Sequence, residues 1–260
     1  MFGELRALQR SGLLQEPSSN VGGGTAVMLI PGLLAPDASL GMLARYLKRH
    51  GFTPRRAGIV SNVDCSEAEA ARLEQRVERA FWETKRRVAI VGQSRGGVFG
   101  RALAVRRPDI VGAVIGLGSP LVDPVANIHP FLHLQLELLA RLGDRRVTRV
   151  LSHGCMDSEI REQIQEIASR SRLSRALAGR ARKLEPGDCC TQFWADTRAP
   201  FPENVHYVSI WSRVDGIVNP RACLDPAASD IEVRSSHCGM AWNRHVYRAV
   251  LDALGAVAAA

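Results

Sequence analysis

Val88-Ala89-Ile90-Val91-Gly92-Gln93-Ser94-Arg95-Gly96-Gly97 carries a short β-branched run straight into G-x-S-x-G, and a helix-compatible segment follows. Strand, sharp turn and helix in that order are what a nucleophile elbow requires. So tight a turn brings backbone against backbone, and glycine is expected at Gly92 and Gly96, where a Cβ would collide. Ser94 is then held at the top of a sheet, and the helix behind it offers its first N–H groups to a developing oxyanion. Glycine and serine are common, so the five motif residues alone suit an ordinary Gly-rich turn equally well. The strand pattern before them and the amphipathic run after them favour the elbow.

Strand and helix patterns alternate around this stretch. Gly22-Gly23-Gly24 precedes a buried strand, Ala26–Ile30, which Pro31-Gly32 stops. The triple glycine comes before the strand rather than after it, so it is not a dinucleotide fingerprint. A helix is expected from about Ser39 to His50, with Leu40, Leu43 and Leu47 on one face and Gly51 as C-cap. Thr53–Val60 reads as a strand and Ser66–Thr84 as a helix, with Ser66 and Glu69 spaced for a capping box. After Val88–Val91 and the elbow, a helix from Arg95 to Arg106 ends before Pro108, and the strand Val111–Leu117 runs into Gly118-Ser119-Pro120. Val205–Trp211 and Ile231–Arg234 read as further strands, and Trp242–Leu254 as a closing helix. The fold class is α/β, with a mostly parallel, doubly wound sheet covered on both faces. The alternation breaks at about 121–202, where Leu132–Leu142 and Ser158–Lys183 have helical patterns, so a helical cap or lid insertion is expected there. The expected organisation is an N-terminal helical extension, 1–24, and one domain, 25–260, that contains the cap.

Composition limits the function classes. The 260 residues are 46% hydrophobic and 23% charged, enough for one large core and too apolar for global disorder. No apolar run approaches the roughly 18 residues of a membrane span. The net charge of +8 is nearly all arginine, since Lys48, Lys85 and Lys183 are the only lysines. The arginines are dispersed and interleaved with glutamate, as in Arg72, Glu74, Arg76, Glu78 and Arg79. That pattern is a solvated helix face, and with no aromatic-rich basic patch beside it a nucleic-acid partner is not expected. Met1–Gln15 mixes Glu4, Arg6 and Arg10 with Leu5, Leu8, Leu13 and Leu14, which gives no apolar signal core but an amphipathic helix. Docking on the domain is its first reading, and transient contact with a membrane surface its second. Without a signal, cytoplasmic localisation is expected, and Cys65, Cys155, Cys189, Cys190, Cys223 and Cys238 read as free thiols. No C-x-x-C pair exists, so a structural zinc site is not expected; no cofactor or metal is assigned.

A serine hydroxyl needs an adjacent base, and the base needs an acid to fix its tautomer. In a doubly wound sheet both must lie on loops at the C-terminal ends of strands. His237, just past the Ile231–Arg234 strand, is the expected base. His206 enters a strand and His245 lies within a helix; His129, His133 and His153 belong to the insertion and could face substrate. Asp215, after the Val205–Trp211 strand, is the expected acid, with Asp123 the alternative from the preceding strand. Backbone N–H groups of Leu33 and Arg95 occupy the two positions an oxyanion hole needs. Cys238, beside His237, reads first as buried packing and second as a redox-sensitive thiol.

Pro31-Gly32-Leu33, Gly92-Gln93-Ser94-Arg95-Gly96-Gly97, Gly118-Ser119-Pro120, Asp215-Gly216-Ile217-Val218 and His237 before a terminal helix together resemble the α/β-hydrolase superfamily. Within it the chain is similar to small bacterial triacylglycerol lipases and the lipase-like esterases around them. The resemblance spans about Ala26–Leu254, is strongest over Leu29–Pro120 and Ser209–Met240, and is absent from the insertion. It implies an α/β-hydrolase fold in which Ser94 is nucleophile, Asp215 acid and His237 base, with Leu33 and Arg95 as oxyanion donors. Those lipases often have His-Gly where this chain has Pro31-Gly32, a change that leaves a backbone donor available. They are usually exported, so the missing signal favours an intracellular ester, thioester or lipid-modifying role. The expected activity is cleavage of carboxylic esters, on a small-molecule ester or lipid, through an acyl-enzyme. Acyl transfer or thioester cleavage by the same three residues is the alternative, and a non-catalytic binding protein on the same fold is the alternative from another class.

Overall fold

The computed structural model describes residues 2–62, 65–122 and 190–258. Six parallel strands form one sheet: β1 (Ala26–Ile30), β2 (Thr53–Arg56), β3 (Val88–Gln93), β4 (Val111–Leu117), β5 (His206–Trp211) and β6 (Ser229–Glu232), in the order β2-β1-β3-β4-β5-β6. The three central strands are buried along their whole length, as parallel strands covered on both faces must be. The edge strands β2 and β6 are polar and partly exposed, which discourages pairing with another chain.

Alternation along each strand divides the interior into two cores. Ala26, Met28 and Ile30 of β1 face one core, and Val27 and Leu29 the other. In β4 the parity slips. Val88 pairs with Val111 but Ala89 with Ala113, so Gly112 is an extra residue, and Val111 and Val114 reach the same core. The first core is covered by α3 (Ser66–Thr84), α4 (Arg95–Arg106) and α5 (Thr191–Arg198). The second is covered by α1 (Phe2–Arg10), α2 (Gly41–Arg49) and α6 (Arg244–Ala258). α3 buries Ala70, Leu73, Val77 and Ala80, one apolar stripe at helical spacing. α4 is the central helix, and its buried Arg101 pairs with Asp225 at 3.0 Å while donating to the carbonyls of Asp196 and Ala199. Those bonds fasten α5 to the helix behind Ser94.

Three expectations are corrected. β2 ends at Arg56 rather than Val60, because Asp37 accepts hydrogen bonds from the main-chain N–H groups of Gly58 and Ile59 and draws the chain out of the sheet. β6 lies at Ser229–Glu232 rather than Ile231–Arg234, and the Arg234 carbonyl is bound instead by the Asn243 side chain. The Ser66–Glu69 capping box does not form: Cys65 is the N-cap, Ser66 bonds to Arg95, and Glu69 pairs with Arg72 at 2.9 Å. The helical patterns assigned to the cap, and Asp123, lie outside the described residues. No helix among the described residues is long and apolar enough to cross a membrane.

The N-terminal helix α1 is docked on the second core through Leu8, which is fully buried, and a following 3-10 turn adds Leu13. Glu4 extends from α1 to the segment after β6 and accepts hydrogen bonds from Ser235 and Ser236. Burial alone would raise the Glu4 carboxyl, but hydrogen bonds, those of Ser235 and Ser236 first among them, outweigh it and hold the pKa at about 2 against an ordinary 4.5. A carboxyl depressed by folding contributes stability that is complete above its unfolded pKa and lost as pH falls through the folded one. Stability contributed by Glu4 is therefore present above pH 4.5 and disappears toward pH 2. Urea-unfolding midpoints measured across that window are expected to fall more steeply for the wild type than for Glu4→Gln.

Candidate active site

The order β2-β1-β3 places a topological switch between β1 and β3, and the crevice beyond their C-terminal ends is where doubly wound sheets bind ligands. Register brings the candidate residues to the same edge. Gln93 pairs with Leu117, Leu117 with Ile210, and Ile210 with Ile231, so the loops carrying Ser94, Gly118, Asp215 and His237 all leave from one rim.

Ser94 occupies the turn between β3 and α4 with φ 51° and ψ −121°, a backbone conformation that L-residues rarely adopt. Packing imposes it. A Cβ on Gly92 would lie 2.2 Å from the carbonyl carbon of Gly96, and one on Gly96 would lie 2.2 Å from the main-chain oxygen of Ile30. Both obstacles are backbone, so neither can swing aside. Leu34, in the loop after β1, also has positive φ, at 62°. Two of the three strained non-glycine residues among the described residues thus flank the switch point.

Asp215 and His237 are in direct contact. His237 Nδ1 lies 2.7 Å from Asp215 Oδ2, with the side chains only 8% and 2% exposed. The other Asp215 oxygen accepts from the N–H groups of Ile217 and Val218 at 2.8 and 2.9 Å. One oxygen is therefore committed to its own turn and the other is aimed at the imidazole. Burial, followed by the neighbouring Asp215 charge, pushes the Cys223 thiol up to about 12 and keeps it neutral. His237 leads into a 3-10 turn, Cys238–Trp242, and its carbonyl accepts from the Gln93 side chain at 3.2 Å, which ties its loop to the residue before Ser94. Cys238 is exposed rather than packed, because His237 and Met240 take the inward positions of that turn. Cys65 and Cys190 are buried thiols 3.5 Å apart.

The expected oxyanion donors lie on the two sides of the switch point: Leu33 follows β1 and Arg95 opens α4. The buried Asn62 joins them, a residue that pattern reading passed over. Its amide donates to the Pro31 carbonyl at 2.7 Å, and its side-chain and main-chain oxygens both accept from Arg95 Nη1 at 2.9 Å. Asn62 also forms a parallel bridge to Leu33. In the sequence it is one more polar residue after a strand; only its partners, 31 and 33 residues away, distinguish it. The rival histidines are elsewhere: His206 starts β5 at the opposite edge of the sheet, and His245 is in the first turn of α6, beside Arg244. His129, His133 and His153 lie outside the described residues.

Comparison with known proteins agrees with this architecture. The model of the family described as "Putative esterase" matches residues 62–235, two thirds of the chain. The chain belongs to this esterase family. No curated protein matches it. Among solved structures, the monoacylglycerol lipase of Paleococcus ferrophilus superposes with a TM-score of 0.55 at 16% identity, over 90% of this chain and 96% of that one. The mature lipase of Bacillus licheniformis gives 0.55 at 12%, over 89% and 92%. The 2-hydroxy-6-oxo-6-phenylhexa-2,4-dienoate hydrolase of Rhodococcus sp. strain RHA1 gives 0.55 at 17%, over 90% and 91%. At these identities the likeness is one of fold, the α/β-hydrolase fold expected from the sequence. The family match ends two residues before His237 and excludes α1.

The elbow packing makes a direct prediction. Gly96→Ala is expected to cost about 3 kcal/mol or to prevent folding, because the new methyl meets backbone. Gly41→Ala, at φ −63° with nothing within 4 Å of the added Cβ, is expected to change stability by no more than about 1 kcal/mol. Thermal and urea melts of the two variants provide the check.

Proposed function

We propose that the chain is a serine hydrolase that cleaves carboxylic esters through an acyl-enzyme on Ser94. The observation that carries this reading is the buried 2.7 Å contact between His237 and Asp215, on the strand edge from which Ser94 also projects. His237 accepts the Ser94 proton at Nε2 as Oγ attacks the ester carbonyl, while Asp215 holds the Nδ1–H and stabilises the imidazolium. The carbonyl oxygen becomes an oxyanion that the N–H groups of Leu33 and Arg95 receive. Collapse of this intermediate breaks the ester C–O bond, and the departing alkoxide takes the proton from His237. Water, deprotonated by the same imidazole, then attacks the acyl-Ser94 ester and releases the acid and free enzyme. Membership of the esterase family supports this reaction class. The chemistry calls on no metal or other cofactor, and the partner it implies is a small-molecule ester or lipid.

The test is turnover of p-nitrophenyl esters from acetate to palmitate. Wild-type turnover is expected, with kcat falling by about a million-fold in Ser94→Ala and by about 10,000-fold in Asp215→Asn, each variant remaining folded. Turnover that survives Ser94→Ala overturns the assignment of the nucleophile. Added glycerol that diverts the acyl group into a new ester would reveal acyl transfer. Inertness to every ester and to a serine-directed phosphonate would favour a non-catalytic binding protein.

A further inference from the structure

Glu4 lies 231 residues from Ser235, on a helix outside the region that matches the family, yet its carboxylate is enclosed by the loop that carries His237. One carboxylate oxygen accepts from Ser235 Oγ at 2.6 Å and from the Ser236 N–H at 2.9 Å; the other accepts from Ser236 Oγ at 2.6 Å. Asn243, beyond the 3-10 turn, approaches the first oxygen at 3.5 Å. Gly239 completes the enclosure: a Cβ there would lie 1.8 Å from Glu4 Oε2, so a larger residue would push the Glu4 side chain from this seat. Residues 235, 236 and 239 bracket His237 on both sides, and all three meet the same carboxylate. We propose that Glu4 is a positioning residue for His237, with the N-terminal helix completing the candidate active site. The proposal rests on the reading of His237 as general base.

The chemistry favours a carboxylate over other helix residues. The Ser236 N–H is a donor that cannot reverse, and both serine hydroxyls lie 2.6 Å from the same carboxylate, Ser235 Oγ being also 3.0 Å from the Ser236 carbonyl, so the enclosure favours an acceptor. An ionised acid with two oxygens can accept all three bonds, each charge-assisted and correspondingly strong. Further restraints on the loop come from Gln93, which holds the His237 carbonyl, and from Ser212 Oγ, which accepts from the Ser235 N–H at 3.1 Å. Those two act from the nucleophile strand and from the strand preceding the acid. Glu4 acts from the opposite side, so the imidazole is braced between the sheet and the helix.

The experiment compares wild type with Glu4→Gln, Ser236→Ala and Leu8→Ala. Leu8→Ala weakens the packing of α1 without touching the carboxylate. Two readouts are taken well below each melting temperature: kcat and KM on a short p-nitrophenyl ester, and the carbon-bound ring-proton NMR signals of His237, assigned by their loss in His237→Ala. Glu4→Gln is expected to lower kcat between about tenfold and a hundredfold with KM within twofold, and to move or broaden the His237 signals. Ser236→Ala is expected to move the same signals the same way, whereas Leu8→Ala lowers the melting temperature and leaves them in place. His237 signals unchanged in Glu4→Gln, or displaced equally by Leu8→Ala, would overturn the proposal. The NMR readout needs no ester turnover, so a wild type that fails to cleave esters would overturn the proposed reaction while still deciding whether Glu4 positions His237.

Discussion

The close approach of two backbones at the start of α4 governs the arrangement of the crevice. The Gly96 main chain sits against the Ile30 carbonyl and the Gly92 position at once, leaving no room for a side chain at either glycine. This contact holds the central helix on the seam between β1 and β3, where the strand order reverses. It fixes how far the loop after β1, with Leu33, stands from the turn after β3, with Arg95. It also forces Ser94 into positive φ, a strain that the surrounding packing must overcome. Asn62 works at the same seam from the other direction, joining Pro31 to Arg95 through side-chain hydrogen bonds.

Much of this was legible in the chain, and the reasons are specific. β4 and α3 occupy the residues expected of them, because an all-apolar run and a long amphipathic stripe leave little choice of boundary. The G-x-S-x-G turn carries its own geometry in its glycines. The edges were harder: β2 and β6 are short and polar, and their ends are set by Asp37 and Asn243 rather than by their own composition. Ser66 shows the same effect at a helix start, since a capping pattern valid in isolation gave way to a bond with Arg95. Asn62 and Glu4 carried no signal in the sequence, because what distinguishes each is a tertiary partner far along the chain.

The family match and the candidate site overlap without coinciding. Residues 62–235 contain Asn62, Ser94, Arg95 and Asp215, but stop short of His237 and leave β1, with the Leu33 loop, outside. The parts that complete the arrangement come from the two ends of the chain. The superposed lipases and hydrolase share the frame at 17% identity or less. Similarity at that level is one of fold, not of side chains.

A bond between the first helix and the last loop also bears on when the molecule can be finished. β1 to β4 and the helices between them are contiguous in the chain and leave the ribosome before β5, β6 and the His237 loop, although a domain generally folds as a unit. The carboxylate of Glu4 has no seat until Ser235 and Ser236 have left the ribosome, 231 and 232 residues later. Closing so long a loop comes at an entropic cost that only the nearly complete sheet can offset. The part of the sequence made first therefore cannot take this seat until nearly the whole chain has been made.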